Sequence, residues 1–62
     1  MSVRTFTRGE VLTFKADGGT ATVEKIDGEG MRFKPIIVWL RFDERHDTLV
    51  PFGQNYLRRI VR

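Results

Sequence analysis

The sequence predicts an all-β domain of five short strands. Several segments alternate apolar and polar residues, which is the period of two expected for strands with one buried face. Short groups of Gly, Asp, Asn and Pro separate these segments and are typical of tight turns. Since no window carries a convincing apolar stripe with a period of about 3.6 residues, we predict no α-helix. The 62 residues are expected to form a single domain, residues 1–62.

The predicted turns mark where one strand ends and the next begins. Residues 16–19 (ADGG) and 27–30 (DGEG) are predicted turns, because Gly accepts the positive φ of a tight hairpin. Ile26 breaks the alternation of the second strand, which predicts a β-bulge near Glu24-Lys25. Residues 53–56 (GQNY) are predicted to form a helical turn. The five predicted strands are Glu10–Lys15, Thr20–Ile26, Pro35–Asp43, Thr48–Phe52 and Leu57–Val61.

The central strand is predicted at Pro35–Asp43, and Met31–Lys34 could lead into it. Strict alternation gives this strand an unbroken apolar face, which we assign to the core. The opposite face carries Ile37, Trp39 and Arg41, which is an unusually apolar set for a face in contact with water. The predicted core row is Ile36, Val38, Leu40 and Phe42.

This succession of motifs resembles the SH3-like superfold over nearly the whole chain. It is most similar to the photosystem I subunit IV-like family. The counterparts of that family's motifs are residues 8–11 (RGEV), 19–23 (GTATV), the strand 35–43 that ends in RFD, and the polar turn 54–56. The chain departs from the family pattern by being shorter and by carrying Trp39-Leu40 within the third strand. The resemblance implies a small five-stranded SH3-like barrel and a role as a docking or structural subunit of a larger complex.

Positive charge is concentrated at the two ends of the chain. The protein has 11 Lys and Arg against 8 Asp and Glu, a net charge of +3. Residues 1–9 and 48–62 contain no acidic residue. Because chain termini usually lie close together at the surface, the terminal arginines are expected to form one patch that binds the phosphates of DNA or RNA. The alternative is that they are solvated ends that keep a small protein in solution. The predicted patch consists of Arg4, Arg8, Arg58, Arg59 and Arg62.

Trp39 is the other candidate nucleic-acid-binding residue. An exposed Trp offers a flat surface on which a base can stack. The alternative, which the usual burial of large aromatic side chains favours, is that the N-terminal segment around Val3 and Phe6 covers this face.

The sequence predicts no catalytic site, metal site or cofactor. His46 precedes Asp47, but adjacent residues in a charged turn seldom converge on a substrate, and no Ser or Cys is placed to act as their nucleophile. The chain has no Cys and one His, which leaves no ligand set for a structural metal. The sequence shows no signal peptide, and its longest apolar run is far shorter than the roughly 20 residues of a membrane span. A cytoplasmic location without a membrane span is therefore expected.

Two function classes remain from the sequence. The first is a non-catalytic nucleic-acid-binding module that uses the terminal arginines and Trp39. The alternative is a protein-docking or structural subunit, whose partner is another protein or a second copy of the chain. A small enzyme assembled from several copies is a further, less favoured alternative.

Overall fold

The computed structural model of the protein describes residues 5–45 and 47–62. Four antiparallel strands form one sheet in the order β1-β2-β3-β4, and a short helix follows the last strand. The elements are β1 (Val11–Thr13), β2 (Thr20–Asp27), β3 (Ile37–Phe42), β4 (Leu49–Gly53) and α1 (Gln54–Ile60). The predicted predominance of β-structure is thus confirmed, and the first four predicted strands are all present with shifted ends.

The prediction of a fifth strand at Leu57–Val61 and of no helix is wrong. Residues Gln54–Ile60 form the seven-residue helix α1, so that the described residues make an open four-stranded sheet and one helix rather than a five-stranded barrel. Leu57, Ile60 and Val61 are spaced i, i+3 and i+4, which places them on one face of a helical segment. Leu57 is fully buried and Ile60 packs against the core. This stripe is too short to register in a window of 11 to 18 residues.

The residue after the helix returns the chain to β1. Val61 forms an isolated antiparallel bridge with Phe14. The backbone N–H of Lys15 donates to the carbonyl of Ile60 at 2.9 Å, and that of Arg62 donates to the carbonyl of Thr13 at 2.9 Å. The C-terminal residues therefore pair with the end of β1 through a single bridge.

The core lies between one face of the sheet and the helix. The central strand contributes Val38 and Leu40, both fully buried, whereas Ile36 and Phe42 are half-buried and pack at its edge. The predicted core row is thus correct in its face, with its two ends partly open to solvent. The buried residues are Phe6, Leu12, Ala21, Val23, Val38, Leu40, Leu57 and Val61.

The predicted β-bulge in β2 is confirmed. Val23 pairs with Leu40, but Lys25 pairs with Trp39, so the register shifts by one residue at Glu24. After this shift Ile26 lies opposite Val38, on the same face as the core, which explains the break in alternation seen in the sequence.

The prediction that Met31–Lys34 leads into the third strand is wrong. Met31 and Lys34 pair with each other in an isolated antiparallel bridge, and β3 begins only at Ile37. The segment is therefore a separate small hairpin between β2 and β3.

Among the described residues, no helix has the length and apolar character needed to cross a membrane.

Candidate binding sites

The small hairpin between β2 and β3 presents an aromatic side chain to solvent. The backbone N–H of Met31 donates to the carbonyl of Lys34 at 3.2 Å, and the N–H of Lys34 donates to the carbonyl of Met31 at 3.0 Å. Arg32 and Phe33 occupy the apex of this turn, and Phe33 is 88% exposed. We call residues 31–34 the hairpin tip. Arg32 and Lys34 flank the exposed ring of Phe33. The reciprocal hydrogen bonds between Met31 and Lys34 close the backbone of the turn.

A basic cleft lies between the hairpin tip and the start of α1. It has a volume of about 710 Å³, and Arg32 and Arg58 are its charged residues. Among the described residues that line it there is no carboxylate. Its polar lining also includes the amide side chains of Gln54 and Asn55. The full lining is Gly30, Met31, Arg32, Pro35, Ile36, Ile37, Gly53, Gln54, Asn55, Tyr56 and Arg58.

Hydrogen bonds hold the two walls of the basic cleft. The backbone N–H of Gln54 donates to the carbonyl of Ile36 at 3.1 Å, which joins the first residue of α1 to the segment before β3. The guanidinium of Arg58 donates through Nη1 to Oδ1 of Asn55 at 2.6 Å, one turn earlier on the helix. The Arg58 side chain is thus oriented along α1 before any ligand arrives.

A second depression, the aromatic pocket, lies at the other end of β3. Its volume is about 750 Å³. The rings of Phe14 and Phe42 stack with centroids 5.4 Å apart, and Phe52 lies 6.1 Å from Phe42. Tyr56 stacks on Phe52 at 6.3 Å with the two planes 6° apart. The full lining is Phe14, Ala16, Asp17, Gly19, Thr20, Phe42, Asp43, Glu44, Arg45, Val50, Phe52, Tyr56 and Ile60.

The rim of the aromatic pocket is acidic. Asp17, Asp43 and Glu44 line it together with one cation, Arg45, among the described residues. Two of the carboxylates are held by hydrogen bonds. Asp17 accepts at Oδ1 from the backbone N–H of Gly19 at 2.8 Å, and Asp43 accepts from the hydroxyl of Thr20. The pocket and the basic cleft therefore have opposite charge, although Tyr56 lines both.

Two arginines of the predicted patch, Arg8 and Arg58, line different depressions. Arg58 lines the basic cleft, whereas Arg8 lines a separate depression of about 340 Å³ with Glu24, Lys25 and Ile26. Arg59 is exposed on α1 and Arg62 is exposed just beyond it. Arg4 lies outside the described residues. The structure does not bring Arg8 and Arg58 into one depression, and a nucleic-acid-binding role for these arginines stays a prediction.

Trp39 lies on the face of the sheet opposite the core. It pairs with Lys25 of β2 and Pro51 of β4, and its side chain is half-buried. Its Nε1 atom is buried without a hydrogen-bond partner in the described part of the chain. Phe6, which was a candidate to cover this face, is buried with the main core instead. Val3, the other candidate, lies outside the described residues.

Sequence reasoning missed both depressions for the same reason. The basic cleft joins residues 30–37 to residues 53–58, and the aromatic pocket joins side chains from distant parts of the chain. Neither set has a short-range spacing that a motif could capture. The one local signal was in the hairpin tip, where Phe33 stands between Arg32 and Lys34 and close to a glycine-rich turn.

The described residues show no arrangement that would bind a metal ion. Across residues 5–45 and 47–62, no group of three or more His, Cys, Asp and Glu side chains is placed to do so. His46, which the sequence assigned to a solvated turn, lies outside the described residues.

Comparisons with protein-family models, with curated proteins and with solved structures gave no match. The resemblance to SH3-like barrels and to photosystem I subunit IV therefore stays a prediction.

Proposed function

We propose that the protein is a small non-catalytic module that binds single-stranded nucleic acid along the basic cleft and the hairpin tip. The observation that carries the proposal is the combination of two arginines in one cleft with a neighbouring ring, Phe33, that is 88% exposed. Proteins that bind single strands combine cations that follow the phosphate backbone with aromatic side chains on which bases stack. The nucleic-acid ligand expected from the sequence is kept, and of the predicted terminal arginines the proposed site keeps only Arg58, to which it adds Arg32.

The charged groups of the cleft suit a phosphate backbone. The guanidinium groups of Arg32 and Arg58 are permanently charged and make forked hydrogen bonds to phosphate oxygens. Because no carboxylate lines the cleft among the described residues, its lining carries a net positive charge. The amides of Gln54 and Asn55 add donors and acceptors that can reach base edges.

Phe33 next to the cleft and the face of Tyr56 that is not stacked on Phe52 offer aromatic surface for stacking. Phe33 is 88% exposed and Tyr56 is 59% exposed. Removing a base from water onto such a ring is favourable for every base, since each has a flat apolar face. A large aromatic side chain held out by a tight turn is otherwise unfavourable, because its apolar surface remains in contact with water. This exposure is what a stacking role explains.

The first prediction concerns Phe33. Replacing Phe33 by Ala should weaken binding to a fluorescein-labelled oligothymidylate by roughly 5- to 150-fold, since base–aromatic stacking contributes about 1–3 kcal/mol. The slope of log K against log salt should stay unchanged, because stacking releases few ions. Fluorescence anisotropy at several salt concentrations measures both. Trp39→Ala removes the other candidate ring. Weaker binding by the Trp39→Ala variant, together with unchanged binding by the Phe33→Ala variant, would place the stacking site at Trp39.

The second prediction concerns the arginines. The double variant Arg32→Gln, Arg58→Gln should lower the salt slope by about 0.7 for each phosphate on a single strand that the variant no longer binds. The control is the double variant Arg41→Gln, Arg45→Gln, which removes the same charge from two exposed arginines outside the cleft. If only the net charge of the protein mattered, both double variants would show the same slope of log K against log salt.

The triple variant Arg8→Gln, Arg59→Gln, Arg62→Gln separates the cleft from the described arginines of the terminal patch that lie outside it. The cleft proposal expects this triple variant to keep the steep salt slope of the wild-type protein, which the cleft double variant does not. If wild-type protein shows no binding to single strands even at low salt, the nucleic-acid proposal fails altogether.

A further inference from the structure

We propose that the aromatic pocket is a second binding site, which receives the cationic side chain of a lysine or arginine from a protein partner. The site is distinct from the basic cleft in position and opposite to it in charge. The inference does not depend on nucleic-acid binding, because it rests on a different set of side chains.

The wall of the pocket is suited to a cation. Phe14, Phe42 and Phe52 contact one another and remain half-buried, so part of each ring borders the pocket. The face of an aromatic ring carries the negative part of its quadrupole and attracts an ammonium or guanidinium group within about 6 Å of its centre. Phe14 and Phe42 cover one face of each other by stacking, and Tyr56 covers one face of Phe52, so the opposite faces are the ones that such a group would use.

The acidic rim supplies charge complementarity. Three carboxylates against one guanidinium give the described rim a formal charge of −2, on a protein whose net charge is +3. This local excess of negative charge opposes the overall balance of the chain. Because Asp17 and Asp43 are already held by hydrogen bonds to Gly19 and Thr20, little ordering of these carboxylates is needed when a cation binds. A phosphate group would be repelled from the same rim.

The apolar part of the lining accommodates the stem of the same side chain. Val50 and Ile60 border the pocket beside the three Phe rings. Lysine and arginine bury their methylene stems against apolar surface while the charged head stays near water or a carboxylate. A neutral apolar side chain would contact the apolar wall of the pocket but not the acidic rim, and an anion would be repelled by the rim. A basic side chain contacts both the wall and the rim.

The test is a titration of ¹⁵N-labelled protein followed by amide chemical shifts. The probes are the Nα-acetyl methylamides of lysine and arginine, with the same derivative of Nε-acetyl-lysine as the uncharged counterpart. We expect the charged probes to shift amides of the pocket, such as Gly19, Thr20 and Val50, and the uncharged probe to bind at least several-fold more weakly. A stronger response to the lysine or to the arginine probe identifies which side chain the site takes.

Two matched variants test the residues themselves. Glu44→Gln should weaken binding of the charged probes, whereas Glu29→Gln, an exposed glutamate that does not line the pocket, should leave it unchanged. Phe42→Leu keeps an apolar side chain and removes one ring, and should weaken binding roughly two- to thirtyfold if that ring contacts the cation. The amide spectrum of each variant without probe shows whether its fold is intact.

Three results would overturn the proposal. The first is equal binding of charged and uncharged lysine probes, which would make the pocket a simple apolar site. The second is an absence of shifts in the pocket at any probe concentration. The third is a shift of the same amides when protein concentration alone is raised, which would identify a second copy of the chain as the occupant.

Discussion

Replacing Leu40 by Ala is expected to remove most of the stability of this domain. Leu40 lies in the central strand β3 and is fully buried. Leu→Ala substitutions at such sites cost about 2–5 kcal/mol, because buried apolar surface is removed and a cavity remains. A single core of this size rarely supplies more than about 3–5 kcal/mol in total. Thermal unfolding followed by circular dichroism should show a melting temperature lower by at least about 8 °C, or no cooperative transition.

The control for this substitution is Leu49→Ala on the neighbouring strand. Leu49 is 39% exposed and lies on the opposite face of the sheet, so the same chemical change should cost much less. If Leu40→Ala does not fold, Leu40→Val gives a graded measurement, since removing one buried methylene costs about 0.8 kcal/mol. Equal melting temperatures for Leu40→Ala and Leu49→Ala would show that the core face is assigned wrongly.

Phe42→Ala should lower the free energy of unfolding by less than the roughly 3–5 kcal/mol of a fully buried Phe, because Phe42 is half-buried.

Replacing Gly28 by Ala is expected to distort the segment that carries the hairpin tip. Gly28 has a φ of 100°, and a Cβ at this position would lie 2.2 Å from the carbonyl oxygen of Pro35. Left-handed backbone costs a non-glycine residue roughly 1–2 kcal/mol. The contact with Pro35 adds to this cost, because it involves backbone that cannot rotate away. We therefore expect the free energy of unfolding, measured with denaturant, to fall by more than about 2 kcal/mol.

Two other glycines separate these two causes. Gly18 has a φ of 74°, but a Cβ there would meet no atom within 4 Å, so Gly18→Ala should show the conformational cost alone, about 1–2 kcal/mol. Gly53 has a φ of −64° and equally open surroundings, but it is the N-cap of α1, where Ala is less favourable than Gly. Because the lower entropy of the unfolded chain offsets this cost, Gly53→Ala should be close to neutral. If Gly28→Ala costs no more than Gly18→Ala, the close approach of Pro35 is not what requires glycine at this position.

Parts of the sheet were predictable because strand patterning is local. The alternation in Thr20–Asp27 and Ile37–Phe42 identified both strands, and for the central strand it also identified the buried face. The break at Ile26 identified the bulge, since a shift of one residue moves every later side chain to the other face. Gly18, Gly28 and Gly30 identified two turns, because tolerance of the positive φ that they adopt is a property of glycine itself.

The end of the chain was mispredicted because its structure depends on distant contacts. Leu57 and Ile60 fit either a short strand or a short helix when only their own neighbours are considered. Packing of Leu57 against the sheet favours the helix, and the pairing of Val61 with Phe14 ends it. Tertiary contacts of this kind routinely override weak local preference.

The sequence by itself determined a small, mostly β protein with a basic balance of charge and a buried face on its central strand. Only the tertiary structure decided where the charges and rings meet. It brought Arg32 and Arg58 into one cleft, and it gathered Phe14, Phe42 and Phe52 under an acidic rim. The physical reason is that period and turn chemistry act between neighbouring residues, whereas a binding surface is formed by residues that only the packing of the sheet and helix brings together.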